Sequence, residues 1–199
     1  MTNLTDKQIF DAIRLRKKSP LTKDDVNNIN AIMYSQKLSA SLPWINAANL
    51  KLGEKEIPGP KHNNWIAAGW ARLGAPWFND DETPWCGFFV AWALKEAGLT
   101  YPKNFASAAS FKNYGIACHE QFGAIGVKSR LGGNHVFFIV GETPDKFYYK
   151  ALGGNQSNAV NIMDVLKSSV THIRWPSNTA LIATGLPIFP HRKIIGNQA

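Results

Sequence analysis

Apolar residues recur at helical spacing through the first half of the chain, and the pattern changes to short strand-like runs after Gly123. Thr5 and Gln8 form a capping box ahead of a face made by Ile9, Phe10 and Ile13, and the basic run Arg14, Arg16, Lys17, Lys18 meets the break at Ser19-Pro20. Cations in a last turn suit the helix dipole. Thr22 caps a second helix with Asp24 and Asp25 in its first turn and Val26, Ile29, Ile32 and Met33 at helical spacing. From Pro43 the texture becomes Trp-rich. Trp44, Ile45, Ala48 and Leu52 make a stripe that Gly53 and the breaker at 57–60 end, so a boundary is expected near residue 42. A short helix is expected over 65–73. The apolar run at 84–94, bounded by Pro84 and Gly98, predicts a buried central helix.

The second half predicts strands at 124–127, 136–140, 147–152, 160–163 and 170–175, separated by Gly, Pro, Asn and Asp clusters of hairpin length. An antiparallel meander is the economical arrangement. Helices followed by strands make an α+β domain. The expected organisation is a small helical module at 1–42, a main domain at 43–184 and a basic tail at 185–199.

Composition narrows the class. In 199 residues, 45% hydrophobic and 18% charged, there is enough apolar surface to offset ordering entropy, so wholesale disorder is excluded. The longest apolar run is far below the roughly 18 residues of a membrane span, and the polar start carries no hydrophobic segment of a secretory signal. The formal net charge of +8 favours an anionic partner. Seven cations against four acids in 1–42, and two cations without an acid in 185–199, concentrate the excess at the ends. No basic stripe interleaves with exposed aromatics, so nucleic acid is not the expected partner. Two cysteines, Cys86 and Cys118, describe no disulfide framework and fit synthesis in a reducing compartment.

Phosphate-loop, dinucleotide, zinc-protease and G-x-S-x-G motifs are absent, which leaves cysteine chemistry. Cys86 opens the expected buried helix, where terminal N–H groups and the dipole favour a thiolate. Taken alone it reads first as a small buried apolar residue beside Trp85 and Phe88. His135 opens the most apolar strand after Gly132-Gly133-Asn134. A hairpin turn centred between Pro144 and Asp145 would put His135 across from Gly154, with Asn155 one position away as an orienting amide. Cysteine, histidine and amide in that arrangement follow Cys–His–Asn logic. Cys118-His119-Glu120 reads as a surface turn, and residues 80–82 as a solvated loop shaping a cleft. Trp44, Trp65, Trp70, Trp77 and Trp92 are expected mostly in the core. His62, His172 and His191 have no evident partner. No short pair has familiar metal-ligand spacing, so neither metal nor cofactor is expected.

The blocks Asp80-Asp81-Glu82-Thr83-Pro84-Trp85-Cys86, Gly133-Asn134-His135-Val136-Phe137-Phe138-Ile139-Val140-Gly141, Leu152-Gly153-Gly154-Asn155-Gln156-Ser157-Asn158-Ala159-Val160 and Arg174-Trp175-Pro176 resemble the CHAP and NlpC-like superfamily of cysteine peptidases and amidases over about residues 43–176. The likeness is to the variety found in bacteriophage and prophage endolysins, and residues 9–14 and 21–32 resemble a short helical module at the start of some phage lysins. The resemblance implies a papain-like α+β fold with N-terminal helices and a central antiparallel sheet. It implies cleavage of an amide in peptidoglycan, with Cys86 as nucleophile, His135 as general base and Asn155 as orienting residue. Trp85, Asp81 and Gln156 are the candidate substrate contacts. It further implies a monomer that accumulates in the host bacterial cytoplasm and reaches the wall through a holin. A noncatalytic wall-binding or structural phage protein, and an antibacterial effector using the same chemistry, are the alternatives.

Overall fold

The computed structural model describes residues 6–17, 20–182 and 184–190. The expected cap at Thr5, the side chains of Ile9, Phe10 and Arg16, and the cations Lys18, Arg192 and Lys193 lie outside the described residues.

Helices come first. α1 (Asp6–Lys17) is followed by α2 (Lys23–Ser41), whose start is the expected cap. Thr22 Oγ1 accepts from the Asp25 N–H at 3.2 Å while the Asp25 carboxylate accepts from the Thr22 N–H at 2.7 Å. These bonds, with the Lys17 ammonium beside the carboxylate, hold Asp25 down at about 2. α3 (Pro43–Asn49) begins with proline, whose missing N–H costs nothing in a first turn. Only Leu42 separates α2 from α3, and Leu38 and Leu42 enter the same core as Trp44 and Ile45. α2 and α3 thus meet at a corner beside residue 42. Leu52, expected to extend the Trp44 stripe, is exposed. α4 (Asn64–Arg72) and α5 (Cys86–Glu96) complete the helical layer, and residues 86–94 of α5 are all buried.

The sheet is a single antiparallel one of six strands in the order β1 (Ile116–Ala117), β6 (Val170–Trp175), β2 (Ile125–Arg130), β3 (Gly133–Glu142), β4 (Tyr148–Gly153), β5 (Asn161–Leu166). The expected meander holds from β2 to β5. The last strand instead crosses back to pair with β2, where it also holds β1, a two-residue edge too short to show in the sequence pattern. The architecture is α+β.

Trp44 ties the layers together. Its ring meets that of Trp175 edge-on at 5.1 Å, and its N–H donates to the Gly123 carbonyl at 2.9 Å, just before β2. α5 lies against β3, with Phe89 meeting Phe138 at 6.0 Å. Trp65, Trp70 and Phe88 fill the space between α4 and α5. Of the tryptophans expected in the core only Trp77 is strongly exposed, at 72%. No described helix is long and apolar enough to cross a membrane.

The register of β3 against β4 departs from expectation. The turn closes between Thr143 and Tyr148, and the ladder shifts between Ile139 and Gly141, leaving Val140 as a bulge. Phe138 pairs with Leu152, one residue later than a turn centred on Pro144 and Asp145 would give. Beyond β4 the chain presses on α5: a Cβ at Gly154 would lie 2.5 Å from Phe89 Cβ and 2.6 Å from the Trp85 ring. Gly154→Ala is accordingly expected to lower the unfolding free energy in urea by about 1–3 kcal/mol, the range for overpacking. An unchanged midpoint would mean that Trp85 and Phe89 are free to move aside.

Candidate active site

Pro84 ends the preceding loop, and Trp85 caps α5 without a side-chain hydrogen bond, leaving the first N–H groups of the helix unclaimed by a cap. Cys86 follows immediately. Its thiol sits by the backbone N–H of Val136, the residue after His135, and by the N–H groups of Gly87 and Cys86 itself. Burial, at 4% exposure, pushes the thiol above its ordinary value, and those N–H groups and the Arg130 charge oppose the rise. The resting sulfur is a thiol.

His135 is the third residue of β3 and is 6% exposed. Its Nε2 lies 3.1 Å from Gln156 Oε1. The orientation of that amide is fixed from its other end, because Gln156 Nε2 donates to the carbonyls of Ala151 at 3.1 Å and Asn161 at 2.7 Å. Asn161 Nδ2 returns a bond to the Gln156 carbonyl at 2.6 Å. With an acceptor oxygen facing it, Nε2 carries the proton and Nδ1 keeps its lone pair. Burial, with the positive charges of Lys128 and Arg130, pulls the imidazole down to about 4 against the opposing Gln156 bond. The ring also stacks on Phe137 at 5.8 Å. The thiol thus lies by the N–H of Val136, the residue next to His135, and no hydrogen bond joins the sulfur to the ring.

The amide on the ring belongs to Gln156 and not to Asn155. The later register and the left-handed backbone at Asn155, Ser157 and Asn158 turn the chain so that Gln156 points at His135. Asn155 bonds instead to the base of α5. Its amide accepts from the Trp85 backbone N–H at 3.2 Å and donates to Glu56 Oε1 at 3.2 Å. Glu56 also accepts from the Trp85 indole at 2.7 Å. Glu56 sits on a strap at residues 53–56 that runs along 158–160, with Gly53 and Glu56 donating to the carbonyls of Val160 and Asn158. The sequence held no signal for this strap or for Glu56, since neither has a periodic pattern.

The expected substrate contacts are all buried. Trp85 packs its fully buried ring under Gly154. Asp81, expected on a solvated loop, is completely buried and accepts from the Ile57 and Asn63 N–H groups at 2.8 Å and from His62 Nδ1 at 2.9 Å. Burial works to raise its carboxyl, yet these donors hold it below the usual range. Asp81 braces the loop before α5, and His62 has a partner the sequence did not suggest. Cys118 is half-buried at the sheet edge, while Glu120 joins a cluster with Tyr149 and Lys167. Among the described residues no three His, Cys, Asp or Glu side chains come together as metal ligands.

The arrangement can do nucleophilic chemistry: a thiol at a helix start, a strand-borne imidazole with its tautomer set, and unclaimed N–H groups where an oxyanion would form. The chain matches no protein-family model and no curated protein sequence.

The native site disfavours protonation of His135, which has a value near 4 when folded and an ordinary value of 6.5. The unfolded chain therefore takes up the proton first as pH falls. This contribution to stability is complete above pH 6.5 and is lost down to about pH 4, amounting to about 3 kcal/mol. Urea titrations at pH 7 and pH 4 should show His135→Gln losing about 3 kcal/mol less than the unsubstituted protein. Parallel losses in both proteins would mean that the ring is freely protonated in the fold. Asp81→Ala, which strands the donors of Ile57, Asn63 and His62, should cost on the order of 3 kcal/mol at neutral pH. A thermal midpoint unmoved by that change would show the loop to be held by other means.

Proposed function

We propose that this protein is a papain-like cysteine hydrolase that cleaves an amide bond of peptidoglycan. The observation that carries the reading is Cys86 at the start of buried α5, its thiol by the N–H of Val136, next in the chain to an imidazole on β3 whose tautomer Gln156 sets. The sequence blocks that resemble CHAP and NlpC-like enzymes support it, since they supply these residues. In this reading Asn155 yields the orienting role to Gln156 and becomes a positioning residue at the base of the helix.

The reaction begins as sulfur bonds to the carbonyl carbon and the Sγ–H proton passes to His135 Nδ1. The backbone N–H of Cys86 is one donor to the oxyanion. Collapse breaks the C–N bond as the imidazolium returns its proton to the departing amine. Water then gives a proton to Nδ1, attacks the thioester and releases the acid, and the sulfur leaves with that proton. A neutral base suits this sequence, because a thiol–imidazole pair need only ionise once substrate excludes water and brings an electrophile. The charge of +8 supports attraction to an anionic wall polymer. A phage or prophage lysin acting after holin-dependent release is the biological setting that the resemblance favours. An injected antibacterial effector would use the same chemistry.

One observation favours a second reading, a wall-binding protein without turnover: Cys86 is only 4% exposed, and its thiol donates no hydrogen bond to the ring. Apo sites often tighten only with substrate bound. Fragments released from purified Gram-negative and Gram-positive peptidoglycan, read by mass spectrometry, separate the two. New peptide termini are expected from the unsubstituted protein and from Cys118→Ser, and none from Cys86→Ala. Gln156→Ala should lower kcat by about 10²-fold or more, the scale of general-base catalysis, with a smaller loss for Asn155→Ala. Wall binding without fragments would establish the noncatalytic protein.

A further inference from the structure

Two cations stand beside His135 on the sheet. β2 and β3 pair so that Lys128 lies directly opposite His135 and Arg130 opposite Gly133. Alternation along β2 puts Lys128 and Arg130 on the same face as the imidazole. Together with His135, Asn155, Gln156 and Ser157 they line a cavity of about 170 Å³. That volume is below the roughly 300 Å³ at which whole-ligand pockets begin, so it suits a single functional group.

Two other ammonium groups, Lys150 on β4 and Lys167 in the turn between β5 and β6, have carboxylate partners. Lys150 meets Asp164 at 2.5 Å, and Lys167 meets Glu120 at 2.9 Å and Glu142 at 2.7 Å. Lys128 and Arg130 form no ion pair among the described residues, and Asp164, on the far side of the cavity, is engaged by Lys150. Burial first, and then the neighbouring Arg130 charge, depress the Lys128 ammonium. Two like charges held at a partly buried cavity repel each other until an anion arrives. An arginine fork can grip a carboxylate with two parallel hydrogen bonds, and a lysine adds a point charge.

We propose that Lys128 and Arg130 bind a free carboxylate of the substrate peptide close to the amide that is cut, and that they make the site selective for acidic over carboxamide-capped peptides. This rests on the hydrolase reading above. The cations are specificity-determining residues. They lie beside the base and touch a part of the substrate that does not react.

The test uses soluble cross-linked muropeptides in two forms, with free side carboxylates and with those carboxylates converted to carboxamides. Cleavage is followed by mass spectrometry with the full-length protein. The free-acid form is expected to be cut with a kcat/KM at least about tenfold higher, carried mainly by KM. Lys128→Met and Arg130→Gln should each bring the ratio of the two substrates towards one. Equal cleavage of both forms by the unsubstituted protein overturns the inference and leaves the hydrolase intact. A loss in the variants that is equal for both forms and is abolished by 0.5 M salt also overturns it, by assigning the cations to general attraction. If neither form is cleaved, the hydrolase reading itself fails. In that case calorimetry with Cys86→Ala decides the binding claim: tighter binding of the free-acid form sustains a carboxylate site, and equal binding removes it.

Discussion

The structure depends on how closely the turn after β4 approaches the first turn of α5. Gly154 lies against Phe89 and Trp85 with no room for a side chain, and Asn155 then accepts the Trp85 N–H. The next residue, Gln156, holds the His135 ring. Three successive residues thus fix the distance between helix and sheet, the position of the helix that Cys86 opens and the tautomer of the imidazole. Each does so through a different force: steric contact, a hydrogen bond to the Trp85 backbone and a fully satisfied buried amide. The strap carrying Glu56 covers this turn from outside, and the buried Asp81 ties the end of that strap, at Ile57, to the loop ahead of the helix.

Much of this was legible in advance, where one force acted on one stretch of chain. The Thr22 cap, the proline at the start of α3, the buried helix between Pro84 and Gly98 and the strands β2 to β5 follow from local pattern and burial alone. The positions of Cys86 and His135 at element starts followed for the same reason. What escaped depended on non-local pairing. β6 returns to β2 because a sheet edge was open there, which no period along the chain encodes. The turn between Thr143 and Tyr148 displaced the hairpin register, the bulge at Val140 took back only part of that shift, and the left-handed backbone from Asn155 on brought Gln156 to the ring. Asp81 reads as solvated beside Asp80 and Glu82, because the N–H groups that bury it come from Ile57 and Asn63, far back in the sequence.

The charges divide by function along the sheet. At the end held by Lys150 and Lys167, cations and carboxylates neutralise each other, and the Tyr149 hydroxyl is pushed up by burial and by the Glu120 carboxylate it serves. Such pairs set geometry more than they add stability, since desolvation offsets much of their attraction. At the His135 end the same sheet carries cations that form no ion pair among the described residues, and that imbalance acts on both Cys86 and His135. It eases ionisation of the thiol while opposing protonation of the ring. The two effects pull the pair in one direction, towards a thiolate with a neutral neighbour.

The shielded, un-ionised sulfur has a consequence for the life of the molecule before it meets a substrate. Peroxide and disulfides attack thiolates that they can reach, and a thiol at 4% exposure with a raised ionisation threshold offers them little of either. The Cys86 sulfur is therefore slow to be spent on oxidants and on other thiols. Its resistance to oxidation and its silence towards bystander electrophiles come from the same burial.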